Sequence, residues 1–115
     1  MDVHPNPCTT IETVIGAIIM RMRKAISLSQ TQLALNLGIT QGALARIEKG
    51  KISLSFCRFT QICAQLNLSP EYMISLYTRD VDVLESKGIT VMPHQKVHWA
   101  HPYLEGESLC KELVE

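Results

Sequence analysis

The chain of 115 residues has no Cys-x-x-Cys pair, little aromatic content and no long apolar run. Its four cysteines, at positions 8, 57, 63 and 110, are at least six positions apart, which excludes the usual paired spacing of zinc ribbons and dithiol redox sites. The apolar stretch from Ile11 to Met20 is too short for a membrane span and contains Glu12. No signal-peptide pattern precedes it. We therefore predict a cytoplasmic protein with reduced thiols and no membrane association.

The chain also has no net charge, since eleven basic side chains balance eleven acidic ones. The net charge of zero excludes a generally basic, histone-like coat, and the five prolines and six glycines do not indicate a disordered tail. The charges are nevertheless unevenly placed. Residues 1–51 contain six basic and three acidic side chains, whereas residues 52–115 contain five basic and eight acidic ones. The front half therefore suits a polyanionic partner.

Groups that would indicate catalysis are missing as well. The sequence shows no Ser/His/Asp arrangement, no paired catalytic carboxylates and no phosphate-cradling glycine loop, so we expect neither enzyme activity nor a cofactor. The spacing of His94, His98, His101 and Cys110 makes them candidate metal ligands. They lack a second tight ligand pair, which favours solvated histidines and no bound metal. Cys57 is read as a plain thiol rather than as a redox sensor.

Apolar residues spaced three and four apart predict five consecutive helices. Each predicted helix begins after a side chain that caps helices well: Thr9 (with Glu12 as a capping box), Ser29, Thr40, Ser55 and Ser69. The second helix is predicted over residues 30–37, the third over 41–49, and the fifth runs to Lys87 and stops at Gly88. Phe56 is assigned to the apolar stripe of the fourth helix, with Phe59, Ile62, Cys63 and Leu66.

The pattern changes after Gly88. Residues 89–92 are predicted as a short strand before Pro93, and residues 105–114 as a short final helix with Leu109 and Leu113 facing inward. We therefore divide the chain into a helical domain over residues 9–87 and an extension over residues 88–115.

Residues 29–51 carry the functional pattern, with two short helices joined by a tight turn. The turn needs Gly38, because a left-handed backbone conformation is cheap only without a Cβ atom. Ala34 is small where the two helices cross. The remaining outward positions are Thr40, Gln41, Gly42 and Arg46, whose spacing suits a helix lying in a DNA major groove.

The pattern S-Q-x-x-L-A-x-x-L-G-I-T-Q-x-x-L-x-x-I-E-x-G-K resembles the Cro/cI-like helix-turn-helix family, also called the lambda-repressor-like or XRE family, over about residues 11–80. The resemblance implies an all-α, five-helix domain in which residues 41–49 form the recognition helix. It places Gln41, position 42 and Arg46 at base edges. Gln30 would meet a phosphate, with Thr40, Lys49 and Lys51 nearby.

Two further points follow from this resemblance. The chain departs from the family at Gly42, where a base-reading side chain is usual; glycine also weakens a helix by about 1 kcal/mol relative to alanine. The family pairs a basic residue late in the first helix with the Glu after the last core residue of the recognition helix, here Arg23 and Glu48. The alternative, that Arg23 contacts a phosphate, is less favoured because an unpaired carboxylate would repel DNA.

The resemblance implies a transcriptional regulator that binds double-stranded DNA in a sequence-specific way, a repressor acting as a homodimer. The acidic extension with its apolar side chains is the predicted dimer interface; otherwise it folds back on its own domain. An alternative function is an antitoxin-like autoregulator whose residues 88–115 bind a partner protein. A metal- or redox-gated sensor is the weakest reading.

Overall fold

A computed structural model describes residues 7–92 and contains the five predicted helices, so the all-α, five-helix prediction is confirmed. The elements are β1 (Cys8–Thr10), α1 (Ile11–Ala25), α2 (Gln30–Leu37), α3 (Gln41–Glu48), α4 (Phe56–Gln65), α5 (Pro70–Ser86) and β2 (Thr90–Met92). The predicted final helix, the three late histidines and Cys110 lie outside the described residues. Within residues 7–92, no helix is long and apolar enough to cross a membrane.

Every helix starts at a serine or threonine whose side-chain oxygen accepts a hydrogen bond from the backbone N–H three residues on. The donors for Ser29 and Thr40, which open the two central helices, are Gln32 and Ala43, both at 3.0 Å. These bonds satisfy N–H groups that have no partner within the helix. At the opposite end of α2, Gly38 adopts a left-handed backbone with φ 73°. Local chemistry therefore determines most of the helix boundaries.

The start of the first helix differs from the prediction. Thr9 does not cap it, because Thr9 lies in β1 opposite Val91. Thr10 is the cap instead and accepts a hydrogen bond from the Thr13 backbone N–H at 3.1 Å. Glu12 forms no capping box; its Oε2 accepts a hydrogen bond from the Ser53 hydroxyl at 3.3 Å.

β1 and β2 pair in parallel, with Cys8 opposite Thr90 and Thr10 opposite Met92. The second strand was predicted, and its partner near the beginning of the chain was not. Thr90 extends the pairing by donating its backbone N–H to the carbonyl oxygen of Pro7 at 3.0 Å. The two ends of the described chain are thereby joined beside the start of α1.

The core forms where α1 packs against α3 and α5, and where α2 packs against α3 and α4. α1 approaches α3 closely at Gly16, where an added Cβ would lie only 2.6 Å from the carbonyl oxygen of Glu48. The fully buried side chains include Ile18, Ile19, Leu33, Leu44, Ile62, Cys63 and Met73. This packing fixes α3 on the scaffold.

The prediction that Phe56 belongs to the core is wrong. Phe56 is 74% exposed, whereas Phe59, one turn later, is buried. Phe56 is the first residue of α4, and its ring stands at the end of the helix, 6.5 Å from the ring centre of Phe59, without a covering element among the described residues. The apolar stripe of α4 therefore begins at Phe59.

Candidate nucleic-acid interface

The turn between α2 and α3 holds the two helices in a fixed relation. Gly38 ends α2, and the backbone N–H of Ile39 returns to the carbonyl oxygen of Ala34 at 3.0 Å. Ala34 is 2% exposed, so the crossing leaves no room for a larger side chain. Arg58 of α4 braces the same turn by donating a hydrogen bond to the Leu37 carbonyl oxygen at 3.1 Å.

α3 has one buried and one exposed face. Leu44 and Ile47 are buried against the rest of the domain. The outward positions predicted to contact DNA are exposed: Thr40, Gln41, Gly42, Arg46, Lys49 and Lys51. Lys49 is the C-terminal cap of α3, one residue after the helix proper, and Lys51 follows the left-handed Gly50. All six predicted residues are therefore accessible to a partner, and three of them carry a positive charge.

Arg23 and Glu48 form the expected ion pair under this surface. The Arg23 Nε atom donates to Glu48 Oε2 at 2.7 Å, and Nη2 donates to Oε1 at 3.1 Å, with Arg23 7% and Glu48 4% exposed. Nη1 donates to the Leu28 carbonyl oxygen at 2.8 Å. The hydrogen bond with Glu48 raises the pKa of Arg23, although burial acts against it. All three guanidinium nitrogens of Arg23 donate hydrogen bonds inside the domain.

A chain of hydrogen bonds runs from this ion pair to the exposed face of α3. Glu48 Oε1 also accepts a hydrogen bond from Gln30 Nε2 at 2.8 Å, and Gln30 Oε1 accepts one from Gln41 Nε2 at 2.8 Å. Because Glu48 can only accept, it sets the orientation of the Gln30 amide, which in turn sets that of Gln41. A buried carboxylate therefore aligns an exposed glutamine.

The alignment leaves Gln41 with its carbonyl oxygen and one N–H for an external partner. An acceptor beside a donor on one amide is the pattern that pairs with the N6 and N7 edge of adenine. Gln30 likewise keeps one N–H, which suits a phosphate oxygen. Next to Gln41, a Cβ built on Gly42 would meet no atom within 4 Å, so this part of the surface is open.

The Gln30–Gln41 contact was not predicted from the sequence. A signal for it exists: each glutamine is the first residue of its helix, directly after the caps Ser29 and Thr40. The N-terminal residues of two helices joined by a tight turn meet only if the turn fixes the angle at which the helices cross. The contact can therefore be predicted only once that angle is known.

Comparisons with known proteins agree with this geometry. Residues 19–73 match the sequence profile of the helix-turn-helix family. The clp gene regulator ClgR from Corynebacterium glutamicum has a similar structure, with a TM-score of 0.64, 17% identity, and coverage of 67% of this chain and 82% of that chain. No curated protein matches this sequence significantly.

Two further solved structures share the fold. The restriction-modification controller protein C.AhdI from Aeromonas hydrophila gives a TM-score of 0.51 at 23% identity, covering 53% of this chain and 92% of that chain. An XRE-family like protein from Pseudomonas syringae pv. tomato gives 0.55 at 20% identity, covering 61% and 85%. With the helix order, the Gly38 turn and the Arg23–Glu48 pair described above, these matches show that residues 19–73 have a helix-turn-helix fold and are similar over that range to the helix-turn-helix family.

Proposed function

We propose that the protein is a transcriptional repressor that reads double-stranded DNA through α3 and acts as a homodimer in the cytoplasm. One observation carries this proposal: the Gln41 amide is exposed, and hydrogen bonds through Gln30 to the buried Glu48 hold it in one orientation. An aligned amide loses little further side-chain entropy when it binds an adenine edge. Arg46, exposed on the same face, supplies the guanine-specific contact.

Phosphate contacts come from the rim of the same surface. Lys49 and Lys51 are exposed at the C-terminal end of α3, and Thr40 lies at its N-terminal end. Cations and helix N-termini both favour phosphate oxygens, so these groups set the position of the domain on the duplex. Sequence reading then falls to Gln41 and Arg46.

Homodimer formation follows from how little DNA one domain reads. The eight residues of α3 reach only a few base pairs, whereas two copies reading half-sites about 34 Å apart supply the missing specificity. The extension over residues 88–115 contains the acidic and apolar side chains that we propose for this contact. Light scattering of the full chain and of a chain ending after Met92 tests the interface. A full chain that is monomeric at micromolar concentration contradicts it.

Selection of bound duplexes from a random pool tests the function itself. We expect an enriched inverted repeat whose half-site centres are about 10–10.5 base pairs apart. The Gln41→Ala variant should lose the preference at one base position per half-site, while Gln65→Ala, which changes an exposed glutamine at the end of α4, should select the same sequence. A pool with no enriched sequence contradicts the proposal. Co-purification of a second protein bound to residues 88–115 would favour the antitoxin-like alternative.

A further inference from the structure

An apolar pocket of about 320 Å³ opens where α1, α4 and α5 meet the segment between α3 and α4. Its wall is almost wholly apolar and includes Ile15, Leu54 and Phe59. Glu12 is the one charged residue among the described side chains of the wall. Its carboxylate is taken up within the domain, because Oε1 is buried and Oε2 accepts a hydrogen bond from the Ser53 hydroxyl. The pocket therefore suits an uncharged, apolar group.

Phe56 borders this pocket and stands largely in solvent. It is the first residue of α4, it is 74% exposed, and its ring centre lies 6.5 Å from that of Phe59 in the wall. A closed apolar cavity of about 150 Å³ is enough to bind benzene, so the pocket has room for a phenyl ring. One surface of the domain thus carries both a projecting apolar ring and a hollow that admits such a ring. We call this surface, formed by Phe56 and the pocket, the Phe56 patch.

A surface with a projection and a matching hollow is complementary to itself. In a contact with two-fold symmetry the same patch of both copies meets, so the projection of each copy faces the hollow of the other. The position of the Phe56 patch agrees with this arrangement. Ile47 of α3 is part of the pocket wall, and Ile52, also in the wall, directly follows the exposed Lys51. A two-fold axis through the patch therefore brings the C-terminal ends of two α3 helices toward each other, as two half-sites on one duplex require.

The Phe56 patch also offers enough apolar surface for a specific contact. An aromatic side chain buries about 150–250 Å² in full, so Phe56 at 74% exposure has about 150 Å² left to bury. Ile74, 48% exposed, and Ile11, 37% exposed, line the same pocket and add to this area. Over both copies, the rings and the walls that they cover reach on the order of 1,000 Å², the size at which specific interfaces begin.

We propose that two copies of this chain meet through the Phe56 patch, with Phe56 of each copy entering the pocket of the other. The inference rests on the proposed homodimer and not on its reading of DNA. The contact fixes the relative orientation of the two helical domains, in addition to the contact proposed above for residues 88–115. Because Ile47 of α3 is part of the pocket wall, the docked ring of one copy rests against α3 of the other.

Introducing complementary charges tests the contact in the full chain without DNA. Phe56→Glu and Ile74→Lys each place an unpaired charge in the Phe56 patch. For each variant alone, sedimentation equilibrium should show a dimer dissociation constant raised by about tenfold or more. An equimolar mixture of the two variants should associate more tightly than either alone. In the mixed dimer the introduced carboxylate faces the introduced amine, and the second contact keeps the parental Phe56 and Ile74.

Val83→Lys is the matched control, because Val83 lies on α5 with Ile74, is 46% exposed and is outside this pocket. Its dissociation constant should equal that of the parent, and far-UV circular dichroism should show the helices retained in all three variants. Since the measurement uses no DNA, failure of this contact and failure of DNA reading are separate results. A monomeric parent, which assigns the patch to another partner, would overturn the proposal. So would equal effects of Ile74→Lys and Val83→Lys, or a mixture that associates no more tightly than its components.

Discussion

Arg23 and Glu48, twenty-five positions apart, meet in a two-bond ion pair that is almost fully buried beneath the exposed face of α3. Each charge is compensated inside the domain, with the third Arg23 donor taken by the Leu28 carbonyl oxygen. Glu48 also holds Gln30, so the pair is the fixed end of the hydrogen-bond chain that reaches Gln41. One carboxylate therefore joins the buried ion pair to the proposed DNA-reading side chain.

Glu48→Met should lower the free energy of unfolding by about 3–5 kcal/mol, because it leaves the Arg23 charge buried and unpaired. Urea denaturation measures this. Arg21→Met, which breaks the exposed pair with Asp80, is the control and should cost less than about 1 kcal/mol. The double variant Arg23→Met/Glu48→Met should regain most of the stability while binding DNA weakly, because Gln30 has no acceptor. Full DNA affinity in the double variant would contradict the role given to Glu48.

Arg46→Ala should reduce affinity for the selected site by about 1–3 kcal/mol and leave affinity for random DNA nearly unchanged. The side chain is exposed and the helix is held by Leu44 and Ile47, so the fold should persist. Fluorescence anisotropy with labelled duplexes gives both affinities. Arg79→Ala removes an exposed arginine from α5 and should change neither. If Arg46→Ala and Arg79→Ala lose equal affinity for the selected site, Arg46 does not contact a base.

Lys51→Ala should weaken binding to all sequences alike, because a phosphate contact carries no sequence information. The slope of log affinity against log salt concentration should become shallower by about 0.9 for one lost contact. Titrations at several salt concentrations measure the slope. Lys87→Ala changes the cap residue of α5 instead, and its slope should equal that of the parent. An unaltered slope for Lys51→Ala would place this lysine away from the DNA backbone.

Two glycines should respond in opposite ways to alanine. Gly16→Ala forces a methyl group against the α3 backbone at Glu48 and should destabilise the fold by about 3 kcal/mol, the upper part of the usual range for overpacking. Gly42→Ala meets open space and should stabilise α3 by about 1 kcal/mol. Thermal unfolding measures both. If Gly42→Ala is more stable yet binds DNA less well, the bare backbone at this position approaches the bases closely.

Cys63 should resist alkylation in the folded protein, while the exposed Cys57 reacts. Burial raises the pKa of the Cys63 thiol, so the folded state keeps its proton at pH values where an unfolded thiol ionises. The folded state then binds more protons, and stability should fall as pH rises above about 8.5. Iodoacetamide labelling with peptide mass mapping checks the order of reaction. Labelling of Cys63 at the rate of Cys57 would contradict its burial.

Local signals in the sequence predict most helix boundaries correctly, since caps such as Ser29 and the left-handed Gly38 act within a few residues. Non-local contacts account for the errors. The local sequence predicts Thr9 as a helix cap because it does not reveal the strand partner Val91, which lies at the other end of the domain. Phe56 fits the apolar spacing of α4, but spacing alone does not reveal that nothing within residues 7–92 covers the start of that helix.

Part of the candidate site can likewise be predicted from the sequence, and part depends on non-local contacts. The exposed positions on α3 follow from helical periodicity together with the family resemblance, and Arg23–Glu48 follows from the resemblance alone. The contact between Gln30 and Gln41 depends on how two helices cross, which neither propensity nor periodicity specifies. A hydrogen bond of 2.8 Å between side chains eleven positions apart requires the assembled turn.

The parallel pairing of β1 with β2 has a kinetic consequence. It closes a loop of about eighty residues, from Cys8 to Thr90, for only three residue pairs. Closing so long a loop costs much conformational entropy, and a few hydrogen bonds contribute little free energy to offset it. We therefore expect the strands to pair only after the helices have assembled. They are also the first contact to open when the domain begins to unfold. Amides of β2 should therefore exchange with solvent faster than those of α1.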